Sequence, residues 1–188
     1  ILTLSTEGTF NTRIESLENV IPDTEIQDFV DEIKLKIESE GNTIMGHSEV
    51  SLPTHTPTGD RMVRNQETAI GNFCADAFRI MGRADIGWIN AGGIRNSIHA
   101  GNITYKELLD AFPFENQICV CEFSGQQIMD ALEYGVSRAP LDNPSFPQVS
   151  GLDYTLNTNI KSNILTDATG AFTGIGEGPR RATNVRVL

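Results

Sequence analysis

Long apolar runs are missing from this chain, and no stretch of its 188 residues approaches the length needed to cross a bilayer as a helix. Basic residues are scarce: 14 Lys and Arg stand against 25 Asp and Glu, a formal charge of −11, with the acids spread along the chain. That balance excludes a broad surface for a nucleic-acid polymer, so any anionic ligand must find a local basic pocket. Cysteine is sparse as well. Cys74, Cys119 and Cys121 make an odd count with two alternating in an apolar run, which is no disulfide framework, and all three are expected as buried free thiols. His47, His55 and His99 lie in loop-like sequence without HxH or HExxH spacing, which excludes the familiar metal motifs. No Ser or Cys stands in a nucleophile motif, and Asp76 and Asp85 form no defensible acid and base pair. The chain is therefore expected to hold no catalytic residue and no metal ligand of its own. It starts at Ile1 without methionine or signal peptide and stops at Leu188 inside a strand pattern, so it is expected to be a piece of something longer.

What is present suits a soluble globular domain with an appendage: 39% apolar and 21% charged residues. After Pro22-Asp23-Thr24, apolar residues at 26, 29, 30, 33 and 37 predict an amphipathic helix ended by Gly41. A strand is expected in 44–52. A second helix, starting at Asn65, should bury Ile70, Phe73, Cys74, Ala77 and Met81. Strand 86–89 follows, then a short helix capped by Thr104 and Glu107 and stopped by Pro113, and an alternating strand over 117–123. Ser124 and Gln127 open another helix with Ile128, Ala131, Leu132 and Val136 inside, and strands are expected at 152–156 and 183–188. Helices and strands at mixed spacing without βαβ repeats predict an α+β (mixed α/β) fold, with layered mixed sheets and outer helices.

The segment WINAGGIRNSI carries the clearest chemical signal. A buried strand is broken by Gly92 and Gly93, which lets the backbone pass through positive φ and a ligand approach the main chain. Arg95 can then offer a planar fork to a phosphate or carboxylate, and the Asn90 amide offers a donor and an acceptor to a heterocycle. A tight turn with a solvated arginine fits the same residues. Arg61 and Arg64 precede the second helix, an odd place for cations unless an anion also visits, although a solvated loop fits too. Phe112 and Phe114 flank Pro113, where an aromatic can serve as a stacking platform or pack in the core.

Together, RMVRNQETAIGNFCADAF, ADIGWINAGGIRNSIHAGNITYKELLDAFPFENQ, the stretch around 125–136 and FPQVSGLDYTLN resemble the C-terminal substrate-specificity domain of the 5′-nucleotidase family. That family also includes UDP-sugar hydrolases and 2′,3′-cyclic-nucleotide phosphodiesterases. The resemblance implies a nucleotide-gripping domain at 53–188, preceded by an interdomain region at 1–52 that contains the helix at about 24–40. It implies that Arg64 and Arg95 hold phosphate and ribose, Asn90 reads the base, Phe114 stacks on it, and Arg61 adds a further basic contact. It also implies an N-terminal metallophosphoesterase domain as partner, two divalent metal ions bound there, and an extracellular, periplasmic or cell-surface setting. Two features depart from the pattern. The metal domain is absent from this chain, and the family's later aromatic and GGDG stretch, which supplies the other stacking wall and a ribose-binding Asp, has no counterpart before Leu188. Ala91 stands where members often carry Gly, a small change. A half-built pocket and an exposed sheet edge near Val185, open to another copy, are therefore expected. The alternative is a non-catalytic nucleotide-binding or surface adhesion module.

Overall fold

The computed structural model describes residues 20–188 throughout and, of the first nineteen residues, the backbone of Leu2–Leu4 (β1) and Phe10–Thr12 (β2), which pair antiparallel. Residues 1, 5–9 and 13–19 of the expected interdomain region lie outside the described residues. The chain divides into two compact units, Ile1–Glu40 and Gly41–Leu188. In the first unit, helix α1 (Thr24–Gly41) follows the expected periodicity, and Ile26, Phe29, Val30, Ile33 and Ile37 are all exposed.

The second unit is α+β, and its sheets are two-stranded antiparallel ribbons rather than mixed layers. Strand β3 (Ile44–Ser48) pairs with β5 (Gly101–Thr104). Helix α2 (Ala69–Gly82) packs on the ribbon of β4 (Gly87–Asn90) and β6 (Pro147–Ser150). Helix α3 (Tyr105–Ala111) follows β5, and α4 (Gly125–Gly135) packs against the last strands. Strand β7 (Leu152–Leu156) pairs with β10 (Ala182–Val187), and β8 (Ile164–Thr166) with β9 (Phe172–Ile175). The core gathers Val63, Ile70, Ile89, Ile94, Ile98, Leu132, Val136 and Phe146.

Several expectations need correction. α2 begins at Ala69, where the Thr68 hydroxyl accepts from Gly71 N–H, so Arg61 and Arg64 sit on a separate 3₁₀ turn (Met62–Arg64) rather than at the mouth of the helix. Its buried face is Ile70, Gly71, Cys74 and Ala75, whereas Phe73, Ala77 and Met81 are exposed. The cause is distance: a Cβ on Gly87 would collide with the Ala75 carbonyl oxygen, so helix and ribbon approach too closely for bulky residues between them. Residues 117–123 form no strand, because nothing pairs with them among the described residues; Cys119 and Cys121 are exposed, and only Cys74 is a buried thiol. Thr104 does cap α3, but the Glu107 carboxylate turns away to accept from the His99 backbone N–H at 2.8 Å. Ser124 and Gln127 complete a reciprocal capping box at α4, which buries Leu132 and Glu133 while Ala131 faces outward.

Candidate nucleotide-binding site

The break after β4 is a 3₁₀ turn over Ala91–Gly93, and neither glycine has positive φ, contrary to the sequence reading. Close approach explains Gly92 instead. Its N–H donates to Pro144 O at 2.8 Å, and a Cβ there would lie 3.0 Å from Pro144 Cβ and 3.1 Å from Asn90 Nδ2. Beside Gly93 a Cβ would meet ordinary contacts with Ile89 and with Asn90 Oδ1. Ala91 is buried, its N–H on Phe146 O at 2.9 Å, so the turn is pinned along residues 144–146.

This pinning leaves Asn90 at the surface. Its amide donates to Pro144 O at 3.3 Å, and its side-chain oxygen has no hydrogen-bond donor among the described residues. Arg95 starts from the same turn, its backbone N–H held by Ala111 O at 2.8 Å. Its guanidinium lies 5.7 Å from the centroid of the Phe114 ring, a cation–π distance, and Nη1 is 3.4 Å from Gly92 O. Phe114 is half exposed just beyond the end of α3, so its ring is a platform rather than a core residue.

The Met62–Arg64 turn packs against the Ala91–Gly93 turn and brings two more cations. Arg61 Nη2 donates to Ile94 O at 2.8 Å, and Arg64 Nη1 meets the Asp142 carboxylate at 3.1 Å. Burial, and then repulsion from Arg64 and Arg95, push the Arg61 guanidinium below the ordinary arginine value, with Asp142 acting in the opposite sense. Arg61 thus feels both other arginines, with Asp142 as the opposing charge. Arg61 Nε and Arg64 Nε are buried without a hydrogen-bond partner. An anion seated here would relieve the repulsion on Arg61.

Of the seven residues singled out from sequence, Arg61 and Arg64 lie on one turn, Asn90, Gly92, Gly93 and Arg95 lie on or beside the turn packed against it, and Phe114 meets Arg95. Sequence reasoning missed the segment that frames it. Asn143 is buried, its amide on Gly135 O at 2.7 Å and its oxygen accepting from Ser145 N–H at 3.1 Å; it presents Asp142 to Arg64 and Pro144 to Gly92. The Asn-Pro dipeptide at 143–144 was the available signal, a turn former in a loop-rich stretch. Gln148 was missed too. Fully buried on β6, it donates to Val63 O and Gln66 O at 2.8 Å each and accepts from Thr68 N–H at 3.2 Å, which ties the arginine turn to the start of α2.

Two hollows lie elsewhere, one of about 460 Å³ between His99, Glu107 and Asp110, the other of about 570 Å³ along β7 and β10. No group of three or more His, Cys, Asp or Glu among the described residues is placed to hold a metal.

Comparisons with known proteins identify the family. The sequence profile of the family described as "5'-nucleotidase, C-terminal domain" matches residues 44–175. The trifunctional nucleotide phosphoesterase protein YfkN of Bacillus subtilis (strain 168) is 36% identical over 149 residues, which is 77% of this chain and 10% of that protein. A 5'-nucleotidase of Vibrio parahaemolyticus is 31% identical over 153 residues, 81% of this chain and 26% of that protein. The chain therefore spans between a tenth and about a quarter of the length of these relatives. The crystal structure of a 5'-nucleotidase precursor from Thermus thermophilus superposes with a TM-score of 0.66 at 23% identity, covering 96% of this chain and 38% of that one, which shows a shared fold. On the profile match and the fold together, the chain belongs to the 5'-nucleotidase C-terminal domain family.

Proposed function

We propose that residues 53–188 grip the nucleotide substrate of a 5'-nucleotidase-type phosphohydrolase, and that 1–52 form the region leading to its other domain. Arg64 and Arg95 take the phosphate and ribose, Arg61 adds positive potential behind them, Asn90 reads the base edge, and Phe114 stacks under it. The observation that carries this reading is the arginine cluster: Arg61, repelled by Arg64 and Arg95, with the Arg95 guanidinium 5.7 Å from an exposed aromatic ring. The residues described here do not fit a metal pair, so the two divalent ions that hydrolysis of this type uses are assigned to a separate N-terminal domain, and no chemical step is routed through this chain. Its part is to bind the substrate and orient its phosphate. The native setting we assign is extracellular, periplasmic or cell-surface, and no helix among the described residues is long and apolar enough to cross a membrane. The outer edges of the β7–β10 ribbon, with Val187 exposed, offer a surface for pairing with a second copy.

Chemical-shift mapping with AMP, UMP, inorganic phosphate and adenosine tests the site. AMP and UMP should perturb residues 61–64, 90–95 and 114 together, phosphate mainly the arginines, and adenosine mainly Asn90 and Phe114. With one aromatic face open to water, the dissociation constant should fall roughly between high micromolar and millimolar. Shifts confined to other surfaces would place the ligand elsewhere and sink the proposal.

A further inference from the structure

We propose that Cys119 and Cys121 form a dithiol modification site that closes to an intrachain disulfide by exchange with a low-molecular-weight disulfide such as oxidised glutathione. Both thiols are exposed, with their Sγ atoms 3.5 Å apart. The intervening Val120, and Ile118 before the pair, reach the end of α2, where a Cβ on Gly82 would lie 3.3 Å from Val120 Cγ2 and 3.7 Å from Ile118 Cγ2, yet both stay exposed, as do the two cysteines beside them. The backbone of residues 116–123 makes no hydrogen bond among the described residues, so it can give the small adjustment that a bond between residues i and i+2 demands. Cys74 does not compete, because it is buried in the core and burial pushes its thiol up to about 12.

The step balances without a further reagent. One thiolate attacks a sulfur of the glutathione disulfide, forming a mixed disulfide and releasing one glutathione thiolate. The neighbouring thiolate then attacks the protein sulfur of that mixed disulfide, and the second glutathione leaves. Two electrons pass from the cysteine pair to the glutathione disulfide, and the two thiol protons end on the two glutathiones. Either thiolate can make the first attack, because the two sulfurs lie 3.5 Å apart and whichever remains free closes the ring. A short, exposed ring of this kind belongs to the labile class of disulfides, and glutathione in excess should reopen it.

The reduced chain, held in glutathione buffers of increasing oxidised fraction, acid-quenched and weighed, tests the proposal. The expected result is a loss of about 2 Da, mapped by peptide analysis to a Cys119–Cys121 link, with two accessible thiols lost and both recovered on adding reduced glutathione. Cys121→Ser should stop the reaction at a single glutathione adduct on Cys119, and Cys74→Ala should leave the mass loss unchanged. Stable addition of glutathione to the unaltered chain, or disulfide-linked dimers at the same ratio, would overturn the proposal whatever the variants do.

Discussion

An incoming phosphate must compete with Asp142 for Arg64, since the carboxylate already lies 3.1 Å from Nη1. Asp142 is more than half exposed, so water and salt screen the pair and its worth is that of a surface ion pair. Asp142→Asn should therefore tighten binding of phosphorylated ligands modestly, by about 0.3 to 1 kcal/mol or roughly two- to fivefold, and leave adenosine unaffected. Calorimetry at low salt reads this; weaker AMP binding would mean that Asp142 orients Arg64 rather than blocking it. Arg95 and Phe114 should separate in kind. In the protein that carries both domains, Arg95→Ala should weaken every phosphorylated ligand by about 1.5 to 3 kcal/mol in a salt-sensitive way. Phe114→Ala should cost about 1 to 3 kcal/mol for ligands with a base and nothing for phosphate alone. Equal losses for phosphate and AMP in both variants would contradict the assigned roles.

At the scale of elements, what could be read in the sequence was local and what could not was tertiary. Caps and periodicity located α1, α3 and α4, because Thr104 and Ser124 bind backbone N–H groups only three residues away. The expected face of α2 followed apolar periodicity alone, whereas the narrow gap above β4 and β6 selects Gly71 and Ala75. Alternation at 117–123 suggested a strand, yet a strand exists only with a partner, which no local pattern supplies. The site residues were legible as residue types around a glycine break, but their union depends on Gln148 and Asn143, polar residues whose burial is fixed by long-range packing. Gln148→Ala should leave Val63 O, Gln66 O and Thr68 N–H without their partner and cost about 2 to 4 kcal/mol in denaturant unfolding. Because the same amide anchors the arginine turn, phosphate affinity should also fall several-fold in the folded variant. Full stability with unchanged phosphate binding would remove Gln148 from the account of the site.

For the whole molecule, charge and burial set opposite limits on the pH range of the fold. Asp130 and Asp153 are held below the ordinary aspartate range by hydrogen bonds from Arg180 and Arg186, and Asp167 by the hydroxyl of Thr169. Groups lowered on folding contribute stability that is present above their unfolded values and lost as pH falls through the lower folded ones. These side chains are near the surface and contribute little each. Because the loss starts only near the unfolded aspartate value, the melting temperature should stay level between pH 7 and about 5 and fall below about pH 4. The alkaline limit should be steeper. Burial lifts Tyr154 to about 12, with the Glu67 charge adding to it, and lifts Cys74 to about 12 as well. Groups raised on folding keep their full contribution below the unfolded values, and it disappears as pH climbs through the folded ones, here between about 9 and 12. Tyr154→Phe should flatten that limb by at most about 2 kcal/mol at pH 11 while leaving the acid limb unchanged. Melting curves from pH 3 to 11 on the unaltered chain and on Tyr154→Phe decide it: superimposable alkaline limbs would show that the phenol ionises without opening the core.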